Sequence, residues 1–223
     1  MHSSPPCVFA SSAAARRLRR ALGACGGGAL ALLLAVAAGC SLPQAQPDLT
    51  RYYVLTAVAP AAGATAAPAE PVGPRVYLRA VTVPEYLRGR IMVVRLGQNE
   101  VRYVDDARWA EPLEPGLARV LREDLAARGT VQVVLRATDE HDYDAVISVR
   151  HCEGVLPARV GQLQARIEIS TTGIEPKRVA QEDFAVEIAG WDGRDYAQLA
   201  GKLSEAANAL AERFAAVLPQ KKP

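Results

Sequence analysis

The residues of this 223-residue chain best equipped for chemistry are its four cysteines, and only two of them sit in suggestive company. Cys40 closes the run Ala37-Ala38-Gly39-Cys40, behind an apolar stretch from Ala29 to Ala38 and a basic lead of Arg16, Arg17, Arg19 and Arg20. A positive n-region, a short apolar h-region and small residues at a cut site form a secretory signal, so this thiol stands where an exported chain is processed. His151-Cys152-Glu153 is the other cluster of ligand-type residues. On a strand, consecutive side chains point to opposite faces, so the three cannot converge on one metal ion. Cys152 is then a small buried hydrophobe, with an intermolecular bridge as the alternative. Asp105-Asp106 and the Asp192 to Asp195 stretch read as turn formers rather than paired catalytic carboxylates. The chain contains no Gly-x-Ser-x-Gly elbow, no Gly-x-x-x-x-Gly-Lys loop, no Cys-x-x-Cys and no His-Glu-x-x-His. It therefore has no familiar route to ATP hydrolysis, and no enzyme activity is expected of it.

Ala37-Ala38-Gly39-Cys40 resembles the bacterial lipoprotein lipobox. That resemblance implies diacylglycerol on the Cys40 thiol, cleavage before Cys40 and acylation of the new amine; no other cofactor is expected. Each buried methylene of such chains contributes about 0.8 kcal/mol to holding a protein on a bilayer. The apolar run is too short for a transmembrane helix, which needs about 20 residues. An ordinary cleavage site with an incidental cysteine is the competing reading. Ser41 is not Asp, and by the sorting rule of enteric lipoproteins this implies the outer membrane, facing the periplasm.

Three segments follow: a signal over residues 1–39, a tether over 40–48 and one domain over 49–220. Removing residues 1–39 from 223 leaves 184, enough for a single sizeable core. The signal holds four arginines and no acid, so Lys plus Arg falls from 26 to 22 against 24 acids and the net charge moves from +2 to −2. Such a balance argues against a nucleic-acid partner. Cys7 and Cys25 leave with the signal and Cys40 is lipidated, so Cys152 is the one thiol left and no internal disulfide is possible.

The elements that must carry these residues read as α+β. Arg51 to Leu55 is a short strand, and Ala59 to Pro74, nearly all Ala, Pro and Gly, is a solvated loop. A strand runs from Arg75 until Pro84 stops it. Glu85 to Arg90 is a turn that folds Tyr86 and Leu87 onto the core, and Ile91 to Leu96 is a central strand paired through a hairpin with Glu100 to Val104. A helix follows, with Pro112 and Glu114 at its start, a stripe of Leu113, Leu117, Val120, Leu121 and Leu125, and Gly129 at its end. Val131 to Leu135 completes a strand-helix-strand crossover, right-handed if its strands are parallel. Tyr143 to Cys152, Leu163 to Thr171 and Val179 to Ile188 are further strands, and the alternation of Leu163, Ala165, Ile167 and Ile169 with polar residues implies one wet face. A last helix from about Asp195 to Val217 carries Tyr196, Leu199, Leu203, Leu210, Phe214 and Val217 on one side. The expected architecture is a single domain: a mixed, mostly antiparallel sheet with this C-terminal helix packed on its dry face.

Three stretches carry a family resemblance. Arg51-Tyr52-Tyr53-Val54-Leu55, then Val83-Pro84-Glu85-Tyr86-Leu87-Arg88 with the Ile-Met-Val-Val-Arg strand, then Arg108-Trp109-Ala110-Glu111-Pro112-Leu113-Glu114 together resemble the PqiC/YmbA-like family of ABC-transport auxiliary lipoproteins. The resemblance implies a non-catalytic envelope lipoprotein of Gram-negative bacteria. Its partners would be an MCE-domain periplasmic protein, an inner-membrane permease and an ATPase that together move lipids or other hydrophobic molecules, and it could form a homo-oligomeric ring. A structural or assembly lipoprotein without a transport role is the other reading. Arg108, Trp109, Glu111, Tyr86 and Arg88 are the candidate partner-binding residues, because Arg and Trp dominate interface hot spots. A purely structural role is open beside it, with Trp109 stapling a loop to the core and Arg108 paired with Glu111.

Overall fold

The period-two and period-3.6 patterns become a sheet with helices on one face. The computed structural model describes residues 47–58 and 73–219, so Cys40, the signal, most of the tether and most of the Ala/Pro-rich loop lie outside the described residues. From Leu49 on, the described residues belong to one compact unit. Its elements are β1 (Arg51–Tyr53), β2 (Arg75–Thr82), a 3-10 turn (Glu85–Leu87), β3 (Ile91–Arg95), β4 (Val101–Trp109), α1 (Leu113–Ala127), β5 (Gln132–Val134), β6 (Tyr143–Val155), β7 (Val160–Thr171), β8 (Arg178–Ala189) and α2 (Tyr196–Val217).

The sheet is mixed and has eight strands in the order β1-β4-β3-β6-β2-β5, with β7 and then β8 branching from β6. The longest ladders, β6 with β7 and β7 with β8, are antiparallel, as is β3 with β4. The shorter pairings of β1 with β4, and of β2 with β5, are parallel. β6 also pairs in parallel with both β2 and β3. One edge of β6 is taken by β7 from Tyr143 to Val155. The other is shared, with β2 alongside Tyr143 to Ser148 and β3 alongside Gly154 and Val155. The sheet therefore forks at β6, and residues 83–90 leave and rejoin the same edge.

The crossover through α1 is present, but its strands differ from the parallel pair that would make handedness a constraint. β5 lies at the far end of the path from β4, and the chain of pairings makes the two antiparallel. β4 also extends beyond the expected Val104 to Trp109, because β1 pairs with its last three residues. Asp105 and Asp106 accordingly lie within a strand, where the register of β4 against β3 jumps, rather than in a turn.

Both helices bury the stripes expected of them. Leu113, Leu117, Val120, Leu121 and Leu125 of α1 are buried, as are Leu199, Leu203, Leu210 and Phe214 of α2. Each such side chain contributes about 1.5 to 3 kcal/mol by leaving water. α2 lies over β7 and β8 and against α1, covering the face that carries Leu163, Ala165, Ile167 and Ile169. Asp195 caps its start, Oδ1 accepting from the backbone N–H groups of Ala197 and Gln198 at 2.9 and 3.3 Å. Asp192 is a turn former, its carboxylate accepting from Arg194 N and Asp195 N, both at 2.7 Å.

Candidate functional site

The three stretches singled out above are far apart in the chain and meet at one corner of the sheet. Ala110 N donates to Tyr53 O at 2.7 Å, Trp109 N to Arg90 O at 2.6 Å and Leu113 N to Gly89 O at 3.2 Å. Arg119 tightens the same corner from α1: its guanidinium donates to Leu55 O at 2.8 Å and to Glu111 Oε1 at 2.6 Å. The start of the domain, the 83–90 excursion and the entry to α1 are thus tied by backbone hydrogen bonds, each of which would cost free energy to leave unmade.

The individual side chains take different roles there. Trp109 is the last residue of β4, only 4% exposed and part of the hydrophobic core. Arg108 points to the other face and its Nη1 donates to Val104 O and Ala107 O, within the bulged part of its own strand. Glu111 pairs with Arg119 rather than with Arg108. Arg88 is exposed and pairs with Glu85 at 2.6 Å, and Tyr86 is half-buried.

Tyr86 meets Arg95 and two members of the His151-Cys152-Glu153 run, a grouping that the sequence analysis did not bring together. Its hydroxyl reaches into the fork and lies 3.2 Å from both oxygens of Glu153 and 3.3 Å from Arg150 O. Glu153 is 1% exposed and accepts from Arg95 Nε at 2.9 Å and from Cys152 N at 2.7 Å. His151 Nδ1 stands 3.0 Å from the same carboxylate. A buried carboxylate is costly unless it is paired and hydrogen-bonded, and here Arg95 is the partner at 2.8 Å. Burial first, and the Glu153 charge second, push the Tyr86 hydroxyl up to about 12, so it stays a neutral donor.

A bulge decides which face these groups occupy. Val149 stands opposite Ala165, but His151 stands opposite Gln164, so Arg150 is the extra residue on β6. Ala145, Ile147 and Val149 face the helices; beyond the bulge Cys152, opposite the buried Leu163, takes over that face and His151 and Glu153 turn away from it. Cys152 is a free, buried thiol, and burial raises its pKa. Its neighbours on the strand point to the other face, and among the described residues no group of three or more His, Cys, Asp or Glu could hold a metal ion. The signal available in the sequence was Arg95 at the end of an otherwise apolar strand; the bulge had none.

Residues 53–215 match the family described as ABC-type transport auxiliary lipoprotein component. The chain belongs to that family. It is accordingly a membrane-anchored envelope lipoprotein and an auxiliary component of ABC-type transport. No curated protein matches it. Solved structures share its fold, among them the following two. One, described as an uncharacterized protein, has 16% identity and a TM-score of 0.60 over 75% of this chain and 97% of its own. The other is protein XCC0632 from Xanthomonas campestris, a DUF330 protein, at 18% identity and a TM-score of 0.60 over 74% of this chain and 92% of its own. Among the described residues of this auxiliary lipoprotein, no helix is long and apolar enough to cross a membrane.

Proposed function

We propose that this auxiliary lipoprotein is the non-catalytic outer-membrane subunit of an MCE-type ABC system that moves lipids or other hydrophobic molecules across the envelope. Cys40 carries the acyl chains, and the domain receives the periplasm-spanning MCE protein, which links it to the inner-membrane permease and ATPase. The observation that carries the docking part is the convergence of the three family-like stretches on one corner. Arg88 offers the exposed charge of the contact, Arg108 borders it, and Tyr86, Trp109 and Glu111 hold it in shape.

A photo-crosslinking residue placed at Arg88 in cells tests the partner. A crosslink to the MCE protein, with none from a control at Gln181 on β8, is the expected result; no crosslink from the corner at all removes the docking role and favours a bracing function. Fatty-acid labelling tests the anchor: Cys40→Ala should abolish it, and equal labelling of variant and wild type overturns the lipid assignment.

A further inference from the structure

The outer face of the β1-β4-β3 blade carries more apolar surface than its strands require. Tyr52 of β1 and Ile91 of β3 both stand opposite Arg108 of β4, so the three form one row across the blade. Tyr103 stands opposite Val93 in the next row on the same face. Residues directly opposite one another share a face; Val93 is itself buried, so the open part of this face is the row of Tyr52, Arg108 and Ile91 together with the Tyr103 ring, opposite in direction to Trp109 in the core and Tyr53 packed against it. Tyr52 is 61%, Tyr103 49% and Ile91 41% exposed.

We infer that this face rests on the bilayer to which the protein is anchored, with Tyr52, Ile91 and Tyr103 in the headgroup region. The inference rests on the lipidation of Cys40 proposed above. Only the eight residues Ser41 to Asp48 separate that cysteine from Leu49, a length that reaches on the order of 25 Å when extended. The tether delivers the chain into β1, so this blade is the part of the domain that cannot move far from the membrane. Its chemistry suits that surface: tyrosine places an apolar ring and a polar tip at the level of the headgroups, and Arg108 in the middle of the row can meet phosphate. Asp105 and Asp106, exposed in the β4 bulge, offset the arginine. The contact is therefore made by ring insertion rather than by net charge, and moderate salt should not release it.

The mature lipoprotein, purified whole and reconstituted into vesicles of phosphatidylethanolamine and phosphatidylglycerol, tests this. Cys152 is buried, so single variants Tyr52→Cys, Ile91→Cys and Tyr103→Cys can each carry an environment-sensitive fluorophore, with Gln181→Cys and Ala185→Cys on β8 as controls. The expected result is several-fold stronger quenching by a lipid-borne quencher at the three blade positions than at the controls. Equal, weak quenching at all five in protein that floats with the vesicles overturns the orientation and leaves the anchor standing. Protein that does not float overturns both. Blade labels that are shielded from aqueous quencher but untouched by the lipid-borne one, increasingly so with protein density, mark a contact between copies and also overturn the inference.

Discussion

The Arg95 guanidinium meets the Glu153 carboxylate at 2.8 Å inside the fork of the sheet, where the carboxylate side chain is wholly buried and the arginine largely so. Removing one partner leaves an uncompensated charge. Arg95→Ala is therefore expected to cost about 3 to 5 kcal/mol, whereas Arg95→Met combined with Glu153→Leu should recover much of that loss, because apolar packing at a buried ion pair is often neutral or better. Chemical denaturation of the detergent-solubilised protein checks it. A double variant as unstable as the single one would show that the pair does more than satisfy itself.

Tyr86 gives the same cluster a pH signature. Its hydroxyl ionises near the ordinary value of 10.0 in the unfolded chain and at about 12 in the folded one. A folded-state pKa raised above the unfolded value contributes stability that is complete below pH 10 and lost as pH rises through 12. For a half-exposed hydroxyl, with solvent screening, this shift corresponds to about 1 kcal/mol. Denaturation midpoints at pH 9 to 11.5 are expected to fall less steeply in Tyr86→Phe than in wild type. Parallel curves would mean that the hydroxyl is not the group sensed.

Gly154 of β6 lies directly against Trp191 and Leu199. A Cβ there would lie 2.7 Å from a Trp191 ring carbon and 2.9 Å from Leu199 Cδ2. Both neighbours are buried and cannot swing aside, so Gly154→Ala is expected to destabilise by about 1 to 3 kcal/mol, the usual cost of overpacking. Thermal melting measures it, with Gly97→Ala as control, since nothing lies within 4 Å of a Cβ at Gly97.

Trp109 and Glu111 separate the corner's framework from its contact. Trp109→Ala removes a buried aromatic and should cost about 3 to 5 kcal/mol. Glu111→Ala leaves Arg119 with Glu123 and the Leu55 carbonyl, so its cost should stay within about 1 kcal/mol. Arg88→Ala, on an exposed pair, should leave the melting temperature unchanged while weakening any partner contact. Association that survives Arg88→Ala would move the contact away from this corner.

What the sequence by itself determined was the local order of the chain. The stripe Leu199, Leu203, Leu210 and Phe214 could be buried only by a helix lying on something apolar, and the Leu163 to Ile169 alternation could serve only a strand with one dry face. The three family-like stretches were likewise legible, since they depend on neighbours within a few residues. The tertiary structure alone decided which strands pair. β4 continues to Trp109 because β1, some fifty residues earlier, supplies its partner, and α1 leads to the opposite end of the sheet rather than to a parallel neighbour. It also decided the face on which Glu153 lies. The single extra residue at Arg150 inverts the period-two pattern, and a bulge leaves no mark in a list of residue types, because it is set by the register in which β6 and β7 pair across their hairpin.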